Sequence, residues 1–206
     1  MHIEFLVEEP SAEAALRNLA PKIVPAVDVQ FRVFQGKQDL LSKLPGILRG
    51  YQRWIPADWR IVVLVDEDRQ DCLELKAELE KAAEDAELST RSVTRGGSAF
   101  QVLKRISIEE LEAWFFGDVE ALNLAYPRIP PSLATSSKYR DPDAIQGGTW
   151  EALEKELQRN GYFRGGLAKI EAAKAISAHM DTDQNRSKSF QVFRDGLRDM
   201  VNYPRS

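Results

Sequence analysis

The stretch Arg60-Ile61-Val62-Val63-Leu64-Val65-Asp66-Glu67-Asp68 decides how this chain is read. Residues 61–65 are too few to cross a bilayer and offer no polar side to water. They therefore read as a central strand of a parallel sheet, covered on both faces. The run then stops on consecutive acids. Ligands of open parallel sheets sit beyond the carboxyl ends of the strands, so one short segment marks both a sheet interior and a candidate site.

Working upstream, residues 27–34 alternate Val27, Val29, Phe31 and Val33 with polar neighbours, which is strand period. Between them and the central strand, residues 37–52 carry a helical stripe of Leu40, Leu41, Leu44, Ile47 and Leu48, which Pro45 is expected to interrupt or kink. Residues 2–7 read as a further strand. Pro10 and Ser11 then open a helix with Ala15, Leu16 and Leu19 on one face. Downstream, residues 72–86 form a helix with a Glu-rich outer face. Residues 88–94 and 102–108 are strand candidates separated by Gly96-Gly97. The second runs into a helix start at Glu109-Glu110-Leu111-Glu112-Ala113-Trp114. Up to Phe115 the order is β-α-β-α-β-α-β-β-α, an α/β domain with a largely parallel sheet flanked by helices.

Residues 127–148, rich in proline and glycine, predict a long loop, and helices follow at 149–160, 167–180 and 188–202. The expected organisation is an α/β core over 1–126 and a loop with a helical extension over 127–206, packed on the same domain. The 206 residues are 43% hydrophobic and 29% charged, a globular composition. With 28 basic and 32 acidic residues the net charge is −4, which argues against indiscriminate coating of nucleic acid but allows a local basic surface. No stretch is long and apolar enough to span a membrane and the start lacks a signal-peptide pattern, so a cytoplasmic protein without membrane attachment is expected. A single cysteine, Cys72, excludes an internal disulfide and a cysteine-cluster zinc site. Two histidines are too few for a histidine-rich centre, so a bound metal would be held by carboxylates, which points to Mg²⁺ or Mn²⁺.

Acids gather where three strands end. The first ends in Glu8-Glu9; the third ends in Asp66-Glu67-Asp68, with Asp71 a helical turn further; the last leads into Glu109, Glu110 and Glu112. If the strands are neighbours, these carboxylates converge, and a divalent cation between them relieves their repulsion and can activate water at a phosphate. Asp66 and Asp68 would share a side of extended backbone and reach one metal together. Of Glu110 and Glu112, two apart on a helix, at most one should reach it. Each cluster also has a plain structural reading as helix cap and dipole partner. Trp114, Phe115 and Phe116 read as core anchors. Gly36-Lys37 reads as a turn with a solvated lysine, and Arg164-Gly165-Gly166 with Lys169 reads equally as a helix boundary or a phosphate contact.

The segments Leu6-Val7-Glu8-Glu9-Pro10-Ser11-Ala12-Glu13, Val65-Asp66-Glu67-Asp68 and Ile108-Glu109-Glu110-Leu111-Glu112-Ala113-Trp114-Phe115 resemble Toprim-related proteins. More closely, with Arg140-Asp141-Pro142-Asp143 and Asn185-Arg186-Ser187-Lys188-Ser189-Phe190, the chain resembles a bacterial family of unknown function. That family has a Toprim-like fold and is commonly encoded beside an AAA-type ATPase. The resemblance implies that Asp66 and Asp68 match an Asp-x-Asp pair that holds Mg²⁺, together with Glu8 or Glu9. Glu110 and Glu112 match the family's Glu-x-Glu-Ala-Trp segment. The expected glycine and threonine of the glutamate motif are replaced around Pro10 and Ala12. The expectation is a metal-dependent, nuclease-like phosphodiester enzyme of a defence (phage defence) or repair system, with Lys37 and Lys169 as candidate transition-state stabilisers, an AAA-type ATPase partner and a nucleic-acid substrate. The rivals are a non-catalytic adaptor of such an ATPase and a small-molecule phosphatase. Nothing in the sequence excludes a homo-oligomer.

Overall fold

The computed structural model describes residues 1–68, 70–94 and 99–202. Among them a sheet of four parallel strands has the order β2-β1-β3-β4, with β1 at His2–Val7, β2 at Asp28–Val33, β3 at Trp59–Asp66 and β4 at Val102–Ser107. Helix α1 (Pro10–Ile23) links β1 to β2, α2 (Lys37–Gln52) links β2 to β3, and α3 (Cys72–Glu84) links β3 to β4. The helical part that follows comprises α4 (Glu112–Phe116), α5 (Val119–Ala125), α6 (Thr149–Arg159), α7 (Lys169–His179) and α8 (Lys188–Asn202).

The apolar run 61–65 lies inside the sheet, between β1 and β4, and each of its residues is at most 2% exposed. Strand alternation divides it. Val62 and Leu64 join Phe5, Leu103, Trp114 and the inner faces of α1, α7 and α8 in the larger core. Ile61, Val63 and Val65 join Leu6, Leu44 and Leu79 beneath α2 and α3 in the second.

Because β1 pairs with both β2 and β3, the chain leaves β1 in one direction and returns past it in the other. The helices change face at the same place, α1 on one side and α2 and α3 on the other. A crevice opens at such a reversal, at the carboxyl ends of the central strands.

Three expectations need correction. Residues 88–94 form no strand. Only Thr90 makes an isolated bridge, to Val102, and the Thr94 N–H then donates to the Thr90 carbonyl at 3.2 Å, closing a turn. Pro45 does not interrupt α2: Leu40, Leu44, Leu48 and Tyr51 stay buried along one face, and that burial outweighs the hydrogen bond the ring removes. Residues 127–148 are not bare loop, since they include 3₁₀ turns at Pro131–Thr135 and Pro142–Ala144 and bury Leu133, Tyr139 and Ile145. Helix α5 was not anticipated. The Gly96-Gly97 break lies outside the described residues. Among the described residues no helix is long and apolar enough to cross a membrane.

Candidate functional site

The crevice is lined by acids because β1 and β3 each end on one. Glu8, just past β1, is 7% exposed, and its Oε1 accepts the Asp66 N–H at 2.6 Å. Asp66, the last residue of β3, lies on the same face as Val62 and Leu64 and retains some contact with solvent. Beyond it the chain is tied to β4: Glu67 N–H donates to Ser107 O at 2.9 Å and Asp68 N–H to Glu109 O at 2.8 Å, while Glu67 Oε2 accepts the Glu109 N–H at 3.2 Å. Asp68 (φ 50°) and Glu109 (φ 60°) both occupy the left-handed region, disfavoured for residues with a Cβ. Two such residues facing each other at a strand-end crevice are strain of the kind functional sites retain.

Glu112 opens α4 and is 2% exposed, with Oε2 fully buried and without a hydrogen-bond partner. Burial pushes its carboxyl up to about 7, with Glu110 and Glu9 adding to the rise and Lys169 opposing it. Burial likewise raises Glu8 to about 7; Asp68 and Glu9 contribute, against the Asp66 N–H and Lys37. Asp66 is held well above the usual carboxylate range, by burial first and then by Glu8, Glu112 and Glu9. The Ser107 hydroxyl favours its charged form, although it is too poorly placed to make a well-formed hydrogen bond. Three neighbouring carboxyls thus hold protons more tightly than free side chains do.

Two lysines border them. Lys37 Nζ lies 2.6 Å from Asp68 Oδ2 and donates to Glu67 O at 2.9 Å, so it holds the acidic turn rather than standing solvated. Lys169 Nζ is 3.9 Å from Glu9 Oε2 and 4.5 Å from the centre of the Trp150 ring. Burial disfavours its ammonium, but Glu112, Glu9, Glu110 and Asp66 together outweigh that and raise its pKa.

The structure separates the expected residues. Glu8, Glu9, Asp66 and Glu112 influence one another electrostatically. Glu110 turns away: its Oε2 accepts the Thr149 hydroxyl at 3.1 Å and the Trp150 N–H at 2.7 Å, capping α6. Asp71 is exposed and caps α3 by accepting the Leu73 and Glu74 N–H groups. Asp68 does not follow the alternation of β3, because its left-handed backbone turns it toward Lys37. Among the described residues no group of three or more acidic, histidine or cysteine side chains stands close enough to hold a metal ion as it is arranged. Trp114, Phe115 and Phe116 are at most 1% exposed and belong to the core. Trp150 and Ser107 went unnoticed in the sequence; Ser107 is the register partner of Asp66, a relation that exists only once β3 and β4 pair.

The family described as a domain of unknown function (DUF4276) matches residues 7–198. This chain belongs to that family. No curated protein and no solved structure gives a significant match. Membership brings no activity with it, so roles follow from geometry. In this DUF4276 chain the Arg140–Asp143 and Asn185–Phe190 segments form a single polar knot tied to α4 at Trp114. Asp143 accepts hydrogen bonds from the Ser187 and Ser189 hydroxyls and the Lys188 and Ser189 amides, capping α8. Asn185 donates to the Trp114 carbonyl at 2.7 Å, and Trp114 Nε1 donates to Ser189 Oγ at 3.0 Å. Gly117 is required there, since a Cβ would lie 2.1 Å from Asn185 Oδ1.

Proposed function

We propose that this chain is a metal-dependent, nuclease-like phosphodiester-cleaving protein whose site is the acidic crevice at the ends of β1 and β3. One observation carries the reading: Glu8, Asp66 and Glu112 gather at the sheet's reversal point with proton affinities raised by burial first and then by neighbouring acids, an arrangement that a cation would relieve. The donor set is all oxygen, and Glu112 Oε2 is buried without a partner; both features suit Mg²⁺ or Mn²⁺. Asp66, Glu8 or Glu9, and Glu112 would hold the ion. When bound, it would supply Lewis acidity and a more acidic water. Lys37 and Lys169 flank the carboxylates and offer charge to a phosphate oxygen. The Toprim resemblance of the strand-end motifs supports the same assignment. An AAA-type ATPase partner in a defence or repair system completes the proposal: a chain of net charge −4 is a weak clamp for nucleic acid by itself.

A non-catalytic adaptor is the second reading, favoured by the Lys37–Asp68 ion pair, which already neutralises one of the expected ligands. Calorimetry with Mg²⁺ and Mn²⁺, paired with oligonucleotide cleavage in Mn²⁺, separates the two. On the enzyme reading, wild type binds and cleaves, and Asp66→Asn loses affinity by about tenfold or more along with cleavage. Absence of binding and cleavage in wild type, with its ATPase present, selects the adaptor.

A further inference from the structure

We infer that the cavity at the free edge of β4 is a binding site for a nucleotide phosphate, distinct from the acidic crevice. The cavity measures about 700 Å³, within the range of small-molecule sites. It lies where α3 and α8 flank the edge strand. Successive residues of β4 point to opposite sides, so Lys104 and Ile106 face α3, whereas Arg105 reaches beneath α8, where its Nε donates to the Val192 carbonyl at 3.2 Å.

The charge of the lining is one-sided. Among the described residues Lys76, Arg91, Lys104, Arg105 and Lys188 line it, with Asp143 as the single acid. Asp143 is already engaged by the N-terminus of α8. Glu80 pairs with Lys104 and Asp199 with Arg91, which leaves Lys76, Lys188 and Arg105 outside the ion pairs among the described residues. Arg105 Nη2 is fully buried without an acceptor, and Arg105 sits beside the like charge of Arg91, with Asp199 the only acid opposing. Converging cations without counter-charge are costly unless an anion joins them. A cation or an amine-bearing ligand is disfavoured by the same arrangement.

Leu79, Ile106, Ile108 and the Val192 side chain give the cavity an apolar wall, beside Cys72 and the hydroxyls of Ser92 and Ser189. An inorganic anion leaves that wall wet. A flat heterocycle covers it while its phosphate meets the exposed ammonium groups of Lys76 and Lys188, with the buried Arg105 charge behind them. This combination selects a nucleotide, either free or as the phosphorylated end of a nucleic acid. The acidic crevice faces α4 and α7 instead, since Asp66 and Glu112 lie on the side of Val62 and Trp114.

The test is calorimetry of the whole chain with AMP, adenosine, inorganic phosphate, and a short oligothymidylate with and without a terminal phosphate. AMP is expected to bind at least about tenfold tighter than adenosine or phosphate alone. If only the phosphorylated oligomer shows that preference over its unphosphorylated form, the site takes a nucleic-acid end. The double variant Lys76→Glu, Lys188→Glu changes two exposed side chains and should weaken binding by about tenfold or more. Val192→Trp, which fills the apolar part and keeps the backbone carbonyl, should block AMP while leaving the melting temperature near wild type. Asp66→Asn should leave AMP binding unchanged, so this site can fail or hold independently of the metal proposal. No preference for the phosphorylated member in either the AMP–adenosine or the oligomer pair, no binding of any phosphorylated probe, or indifference to both cavity variants overturns the inference.

Discussion

The acidic crevice and the Asp143 knot are both built of polar residues on recurrent-looking motifs, yet their chemistry is opposite. In the knot, Asp143 accepts from two hydroxyls and two amides, Asn185 both donates and accepts, and the Trp114 ring N–H is satisfied. In the crevice, Glu112 has a buried oxygen without a partner, and Glu8, Asp66 and Glu112 hold protons more tightly than free carboxyls, by burial first and then by neighbouring acids. A satisfied buried network fixes architecture, whereas an unsatisfied one stores electrostatic cost that a ligand can relieve. On the proposed function, the difference puts stability in one region and binding in the other.

The largest effects should fall on the knot. Trp114→Ala removes a fully buried indole packed against Phe190 and Phe193, and should cost about 3–5 kcal/mol in denaturant unfolding. Asp143→Ala uncaps α8 and removes the carboxylate acceptor of the Ser187 and Ser189 hydroxyls, at about 2–3 kcal/mol. A loss below about half a kcal/mol from Asp143→Ala, within the range of an ordinary surface substitution, would break the distinction between the regions.

In the crevice the sign should reverse. The Glu112 carboxyl has a folded pKa of about 7 against an ordinary 4.5, so the folded state binds the extra proton. That contribution to stability is fully present below about pH 4.5 and is lost as pH rises through about 7. Glu112→Gln, which mimics the protonated form, should therefore match wild type near pH 4.5. Above pH 7 it should be more stable by roughly 1–3 kcal/mol. Saturating Mn²⁺ should stabilise wild type in the same pH range and the variant much less. Thermal melts across pH with and without Mn²⁺ check both, and a Glu112→Gln variant less stable than wild type above pH 7 would place Glu112 among the structural acids.

The smallest effect sharpens the boundary of the site. Asp71→Ala should cost about 1 kcal/mol through loss of the α3 cap and leave Mn²⁺ affinity unchanged. A drop in Mn²⁺ affinity would bring Asp71 back among the ligands.

Four strands and the positions of the acids at their ends follow from the amino-acid pattern alone. The run 61–65 has no polar side, so it had to lie within a covered sheet, and the acids after Val7 and Val65 had to stand at strand ends. These are local consequences of side-chain period and solubility. Which acids meet is set by packing, because each acid's fate depends on a partner distant in sequence. Glu110 caps a helix that begins at Thr149, Asp68 is drawn to Lys37 from α2, and Glu112 is buried near Lys169 from α7. The same holds for residues 88–94, whose pattern permitted a strand that the β4 edge accepted only at Thr90. The cationic cavity likewise arises only when α3, β4 and α8 bring together Lys76, Arg105 and Lys188, which show no pattern along the chain.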